Sequence, residues 1–171
     1  MDTVLESMRA LIATTPARWL SLVQALPGEL MALPPADHEW SALDCLQHLV
    51  DSEMVFQFRV QAFLDGRDFP DFNPDSDGSR PGAQAPLALA EEFARLRSAS
   101  LLMLERLSPA DLERKARHSA LGMARLDEMA HNWAAHDLNH TVQAERALMQ
   151  PFLRACGPWQ VYFQDHVIKP K

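Results

Sequence analysis

The chain has 171 residues, sets 16 Lys and Arg against 23 Asp and Glu, and is 47% apolar, which describes one domain with enough apolar mass for its own core. A formal charge of −7 offers no basic stripe to a run of phosphates, so nucleic acid and anionic membrane surfaces are poor partners. No apolar run approaches the roughly 20 residues that span a bilayer, and Asp2 and Glu6 stand where a secretory leader carries basic residues, so the expected location is cytoplasmic.

Cys45 and Cys156 lack CxxC spacing and read as small buried hydrophobes, reduced in that compartment. Ala and Leu number 24 each, whereas Val, Ile and Thr together reach 14, a balance that favours an all-α fold. Asp2 to Ala13 forms a short amphipathic helix. Thr15-Pro16 then supplies an N-cap and a first-position proline for a helix to about Leu26, which Pro27-Gly28 stops. Residues 27 to 40 hold three of the chain's prolines and form a loop. Ser41, with Asp44 three residues on, opens a helix from Ala42 to about Leu64.

Residues 65 to 85 (DGRDFPDFNPDSDGSRPGAQA) give turns and no regular structure, a long loop whose Phe69 and Phe72 pack back onto the body. Pro86 starts a helix to about Leu107, and Ser108-Pro109 opens a further turn. A linker reaches Gly122. The last long helix runs from about Ala124 to Met149, where Gln150-Pro151 ends it, and the tail with Trp159, Tyr162 and Phe163 packs on the rest.

Spacings of three and four pick out the core face of each helix, since 3.6 residues per turn return side chains to one side. The 86–107 helix gives a normal seam of Leu89, Phe93, Leu96, Ser100, Met103 and Leu107. The 124–149 helix gives Leu126, Met129, Trp133, His136, His140, Gln143 and Ala147, with three polar side chains where the pattern demands apolar ones. The 42–64 helix gives Leu46, Leu49, Glu53, Phe56, Val60 and Phe63, with a carboxylate in its middle and His48 at its edge. Desolvating such groups costs a few kcal/mol unless a partner offsets it.

Two His at i and i+4 sit one above the other, near enough for both imidazoles to hold one metal ion. The pair is His136 and His140. A third ligand from another helix is best placed at His48, while spacing alone leaves His38, His118, His131 and His166 open.

The segments EWSALDCLQHLVDSEMVFQFR (39 to 59) and GMARLDEMAHNWAAHDLNHTVQAER (122 to 146) resemble the DinB/YfiT-like superfamily. The likeness spans most of the chain and rests on Trp-Ser before the 42–64 helix, His-Leu-x-x-x-Glu within it, and His-Asp-x-x-His-x-x-Gln in the last long helix. It implies a four-helix bundle with long crossover connections, covering residues 1 to 171 as a single domain. It also implies a divalent metal on His48, His136 and His140.

Three imidazoles leave coordination positions open, as in a catalytic site, and zinc or nickel suits them. An ion there lowers the pKa of bound water toward about 7 or takes a thiol as thiolate. Characterised relatives include enzymes that use bacillithiol or mycothiol. The resemblance therefore implies transfer of a low-molecular-weight thiol to a small electrophile. Metal-dependent hydrolysis, or a non-catalytic metal- or ligand-binding stress-response role, is the alternative.

Around such a centre Glu53 is the expected base or orienting carboxylate. Asp137, about 100° round the helix from His136, is expected to face solvent or pair locally. Gln143 is placed to bond a ligand or a backbone group. Arg59 and Arg125 are the candidates to receive carboxylates of a thiol cofactor, with solvated helix charges as their ordinary role. Ala-rich helices make a homodimer an expectation.

Overall fold

Two threonines interrupt the first rod. In this computed structural model, which describes residues 3–79 and 84–168, α1 (Thr3–Ile12) and α2 (Thr15–Ala25) are separated where Thr14 Oγ1 bonds the Leu11 carbonyl at 2.7 Å. Asp2 of the expected first helix and residues 80–83 of the expected 65 to 85 loop lie outside the described residues. The break lets α1 pack on α8 while α2 packs on α6. A short turn, α3 (Gly28–Met31), leads to α4 (Ala42–Asp65), which opens with a reciprocal capping box between Ser41 and Asp44. Gly66 ends α4 in the left-handed region (φ 65°) that a side chain would disfavour.

One turn of helix, α5 (Pro74–Asp77), lies in the long loop before α6 (Pro86–Leu104). Then come α7 (Pro109–Leu112), strands β1 (Lys115–His118) and β2 (Gly122–Arg125), α8 (Leu126–Ala155) and a 3-10 segment (Gly157–His166). The α1–α2 rod, α4, α6 and α8 form the four members of the bundle, joined by long connections. Among the described residues no helix is long and apolar enough to cross a membrane.

The apolar core is divided in two. One half gathers Met8, Ile12, Phe56, Phe63, Leu104 and Trp133, and the other gathers Trp19, Met31, Leu46, Leu89, Phe93 and Ala144. Between them lies a buried charged layer. Arg97 of α6 donates to both oxygens of Glu53 on α4 (2.8 and 3.0 Å) and to both oxygens of Asp137 on α8 (2.7 and 3.3 Å). It also donates to the Ile12 carbonyl and to Thr15 Oγ1 at the break in the first rod. All five guanidinium N–H groups are thereby used, and one side chain ties all four members together.

Three expectations are corrected. The linker to Gly122 is an antiparallel hairpin, because Phe69 from the long loop lies beside β1, its N–H and C=O bonding Arg117 and Ser119. The last long helix runs through Pro151 to Ala155, with the Gln150 amide folded back onto the Arg146 carbonyl at 2.8 Å. The tail is anchored by polar contacts and not by its aromatic rings. Gln150 bonds the His166 carbonyl and the Ile168 N–H, while Trp159 and Tyr162 are exposed.

Candidate metal centre

His48 projects from the second turn of α4 and His136 and His140 from the middle of α8, so helix packing alone brings the three rings to one place. The ring centroids lie 4.4 Å apart for His48 and His140, 4.4 Å for His136 and His140, and 5.0 Å for His48 and His136. One nitrogen from each ring lies within 4.8 Å of the other two. Nε2 of His48 is 3.0 Å from Nε2 of His136. Two nitrogens at about 2.0–2.1 Å from one zinc, with bond angles near 90–110°, would be roughly 2.9–3.4 Å apart, so this spacing fits a shared ion.

The hydrogen bonding of His140 fits as well. His140 Nδ1 faces Gln143 Oε1 at 2.8 Å; with Nδ1–H donating there, Nε2 keeps its lone pair for a ligand. Among the described residues, Nδ1 of His48 and Nδ1 of His136 are buried with no hydrogen-bond partner. The rings are walled by Trp40, 5.0 Å from His48 and 5.8 Å from His140, by the edge of Phe56 at 5.5 Å from His136, and by Phe72 at 6.4 Å from His48. Phe72 arrives on the long loop, which Ser79 fastens to α4 through its N–H (2.7 Å) and hydroxyl (2.8 Å) on Asp51. A side chain at Gly78 would collide with the Pro74 carbonyl, so the approach of this loop requires glycine.

Burial keeps all three imidazoles neutral, the form that binds metal. Desolvation pushes His48 down to about 4, assisted by His140 and opposed by Asp51. It pushes His136 down to about 3, assisted by His140, His48, Arg59 and Arg97. His140 is lowered by the same cause, against the opposing Gln143 bond and Asp137 charge. The ordinary value is 6.5, so below it the unfolded chain takes up protons that the folded protein refuses. The metal-free protein should therefore lose stability as pH falls from 6.5 toward 4, measured as a falling urea midpoint across that window.

The model of the DinB superfamily matches residues 11–144. The chain belongs to the DinB superfamily. No curated protein matches it in sequence. Among solved structures it resembles YfiT from Bacillus subtilis, described as a probable metal-dependent hydrolase with an unusual four-helix bundle topology. That match has a TM-score of 0.76 at 16% identity, over 86% of this chain and 87% of that one. A DinB-like protein of Bacillus subtilis matches with a TM-score of 0.59 at 14% identity, over 84% and 91%. The expected DinB-like four-helix bundle is thus the fold.

Other candidates fall elsewhere in this DinB-superfamily bundle. Both oxygens of Glu53 are held by Arg97, the carboxylate is 1% exposed, and among the described residues it bonds no imidazole. Its carboxylate serves the charged layer. Asp137 does not face solvent: it is fully buried and pairs with Arg97 across the bundle, since the core line of α8 passes through Trp133, Asp137 and Ala144 while His136 and His140 flank it.

Arg125 pairs with Asp127 and Glu113, and Arg59 lies over the Phe69 ring with Nη2 3.2 Å from His118 Nε2. His131 and His166 are exposed, His118 is buried against Phe69, and His38 sits in a left-handed turn (φ 62°) before Trp40. None of these four joins the trio. Arg97 was not singled out by its spacing, although Ala90, Phe93, Arg97, Ser100 and Leu104 form a buried stripe in which it is the single charge.

Proposed function

We propose that His48, His136 and His140 hold one divalent cation, zinc or nickel, and that the protein is a metal-dependent enzyme acting on a small molecule. The observation that carries this reading is the convergence of three neutral imidazoles from two helices, His48 buried and His136 and His140 half-buried, with one lone pair oriented by Gln143. Three protein ligands leave open positions, the arrangement of catalytic and not of structural zinc. When bound, the ion makes water or a thiol nucleophilic at neutral pH.

The chain's own contribution is positional. Gln143 fixes the tautomer and plane of His140, Trp40 and Phe72 shield the rings from bulk water, and the Arg97 layer holds α4 and α8 at the spacing that the rings need. Hydrolysis is the leading reaction class, supported by the likeness in fold to YfiT. Transfer of a low-molecular-weight thiol is the second reading. The thiol would come from solution, because Cys45 is fully buried and burial pushes it up to about 12.

Elemental analysis of the purified protein is the first test, with one zinc or nickel per chain as the expected result. Chelator-sensitive hydrolysis of small esters and amides is then set against conjugation of monochlorobimane with bacillithiol, mycothiol, glutathione and cysteine. A protein that takes up no metal, and whose melting a chelator leaves unchanged, overturns the reading. Gln143→Leu should weaken metal affinity by about 10–100-fold with little change in the fold, as loss of a ligand-orienting partner does elsewhere; competition with a chromogenic chelator checks it.

A further inference from the structure

Ser52 follows His48 by one turn of α4, as His140 follows His136 on α8, so each of these two packed helices brings an i, i+4 pair to the centre. Ser52 is 4% exposed, and its hydroxyl lies 3.3 Å from Nε2 of His48, the nitrogen that stands 3.0 Å from Nε2 of His136. A helical serine or threonine commonly turns its hydroxyl onto the carbonyl four residues back, as Ser98, Ser100 and Thr141 do here. Among the described residues the Ser52 hydroxyl makes no such bond, and its partner is the His48 ring. The residues on either side of it are engaged elsewhere, Asp51 with Ser79 of the long loop and Glu53 with Arg97. Ser52 alone of the three is turned toward the imidazoles.

We infer that Ser52 is a fourth functional group of the centre, a hydrogen-bond donor to the small anionic ligand that completes the ion's coordination. The inference rests on the metal-centre reading. Once the lone pair of His48 Nε2 is given to an ion, the Ser52 hydroxyl loses the acceptor that it has in this structure, and a buried donor left without one costs free energy. Serine is not among the usual protein ligands of zinc, which are Cys, His, Asp and Glu. A neutral hydroxyl at the edge of the site instead donates to a negatively charged neighbour, a stronger bond than one between neutral groups. Substrates whose reacting oxygen gains negative charge, as an ester or amide carbonyl does under attack, would draw most from it.

The test loads the parent, Ser52→Ala and Ser52→Cys with cobalt(II), which suits the same imidazole donors and reports by its visible absorption, and titrates each with azide. Ser52→Ala should keep nearly the cobalt affinity of the parent while its azide affinity falls by about tenfold or more, the loss expected for one hydrogen bond to a charged group. The thiol introduced by Ser52→Cys should give a sulfur-to-cobalt charge-transfer band that the parent lacks, because the side chain at this position reaches the ion. A serine that merely packs would move neither readout. Azide binding that survives Ser52→Ala, or a Ser52→Cys spectrum without the band, overturns the inference and returns the hydroxyl to the His48 carbonyl. A parent that takes up cobalt but no azide overturns it too. A parent that takes up no cobalt overturns the metal reading and the inference with it.

Discussion

Arg97→Met should lower the free energy of unfolding by about 3–5 kcal/mol, the scale seen when one member of a buried ion network is removed. With a total of about 5–15 kcal/mol available to a domain, such a loss brings the protein close to unfolding at room temperature. The cause is less the lost attraction than what stays behind: Glu53 and Asp137, 1% exposed and fully buried, would face each other without a cation. One signature separates this from a simple packing defect. The triple change Glu53→Leu, Arg97→Met, Asp137→Leu should be more stable than Arg97→Met alone. Arg97→Lys should not rescue, because three N–H donors on one nitrogen cannot replace a fork that uses five. Chemical denaturation at pH 7 on this set decides the matter.

That charged layer also marks the limit of what the sequence discloses. The bundle helices follow from period and capping, and Ser41 with Asp44 caps α4 as their spacing predicts. Phe69 packs back from the long loop, as its placement among turn residues suggests. Phase along α8 is harder. Polar side chains at 136, 137, 140 and 143 leave the centre of its buried face ambiguous by one residue, and the choice that buries His136 and His140 fully puts Asp137 outside. The fold puts Asp137 innermost, because Arg97 from a helix 40 residues away in sequence compensates it. Single charges in the seams of 42–65, 86–104 and 126–155 are the available signal, and they need to be read as one set. The hairpin gives no signal, since KARH and GMAR are four residues each and gain their strand geometry from each other and from Phe69. The histidine trio was legible as a pair from spacing and as a triple from the family pattern.

Zinc at about a hundredfold excess over its dissociation constant should raise the unfolding free energy by about 2.7 kcal/mol, and His136→Ala should remove nearly all of that increment. The contrast with Arg97→Met is diagnostic. In the metal-free state the His136 ring has no partner at Nδ1 among the described residues, and truncation removes its Nε2 contact with His48 and its ring contacts with His48, His140 and Phe56. Metal-free His136→Ala should therefore unfold within about 1–2 kcal/mol of the metal-free parent, in the ordinary range for a single substitution. The site and the scaffold are in this sense separable: Arg97 supports the fold whether or not a metal is present, and His136 contributes chiefly through the ion. Thermal melts with and without zinc on parent and variant measure both quantities at once. An increment that persists in His136→Ala would locate the ion elsewhere, and a large loss in the metal-free state would make the imidazole structural in its own right.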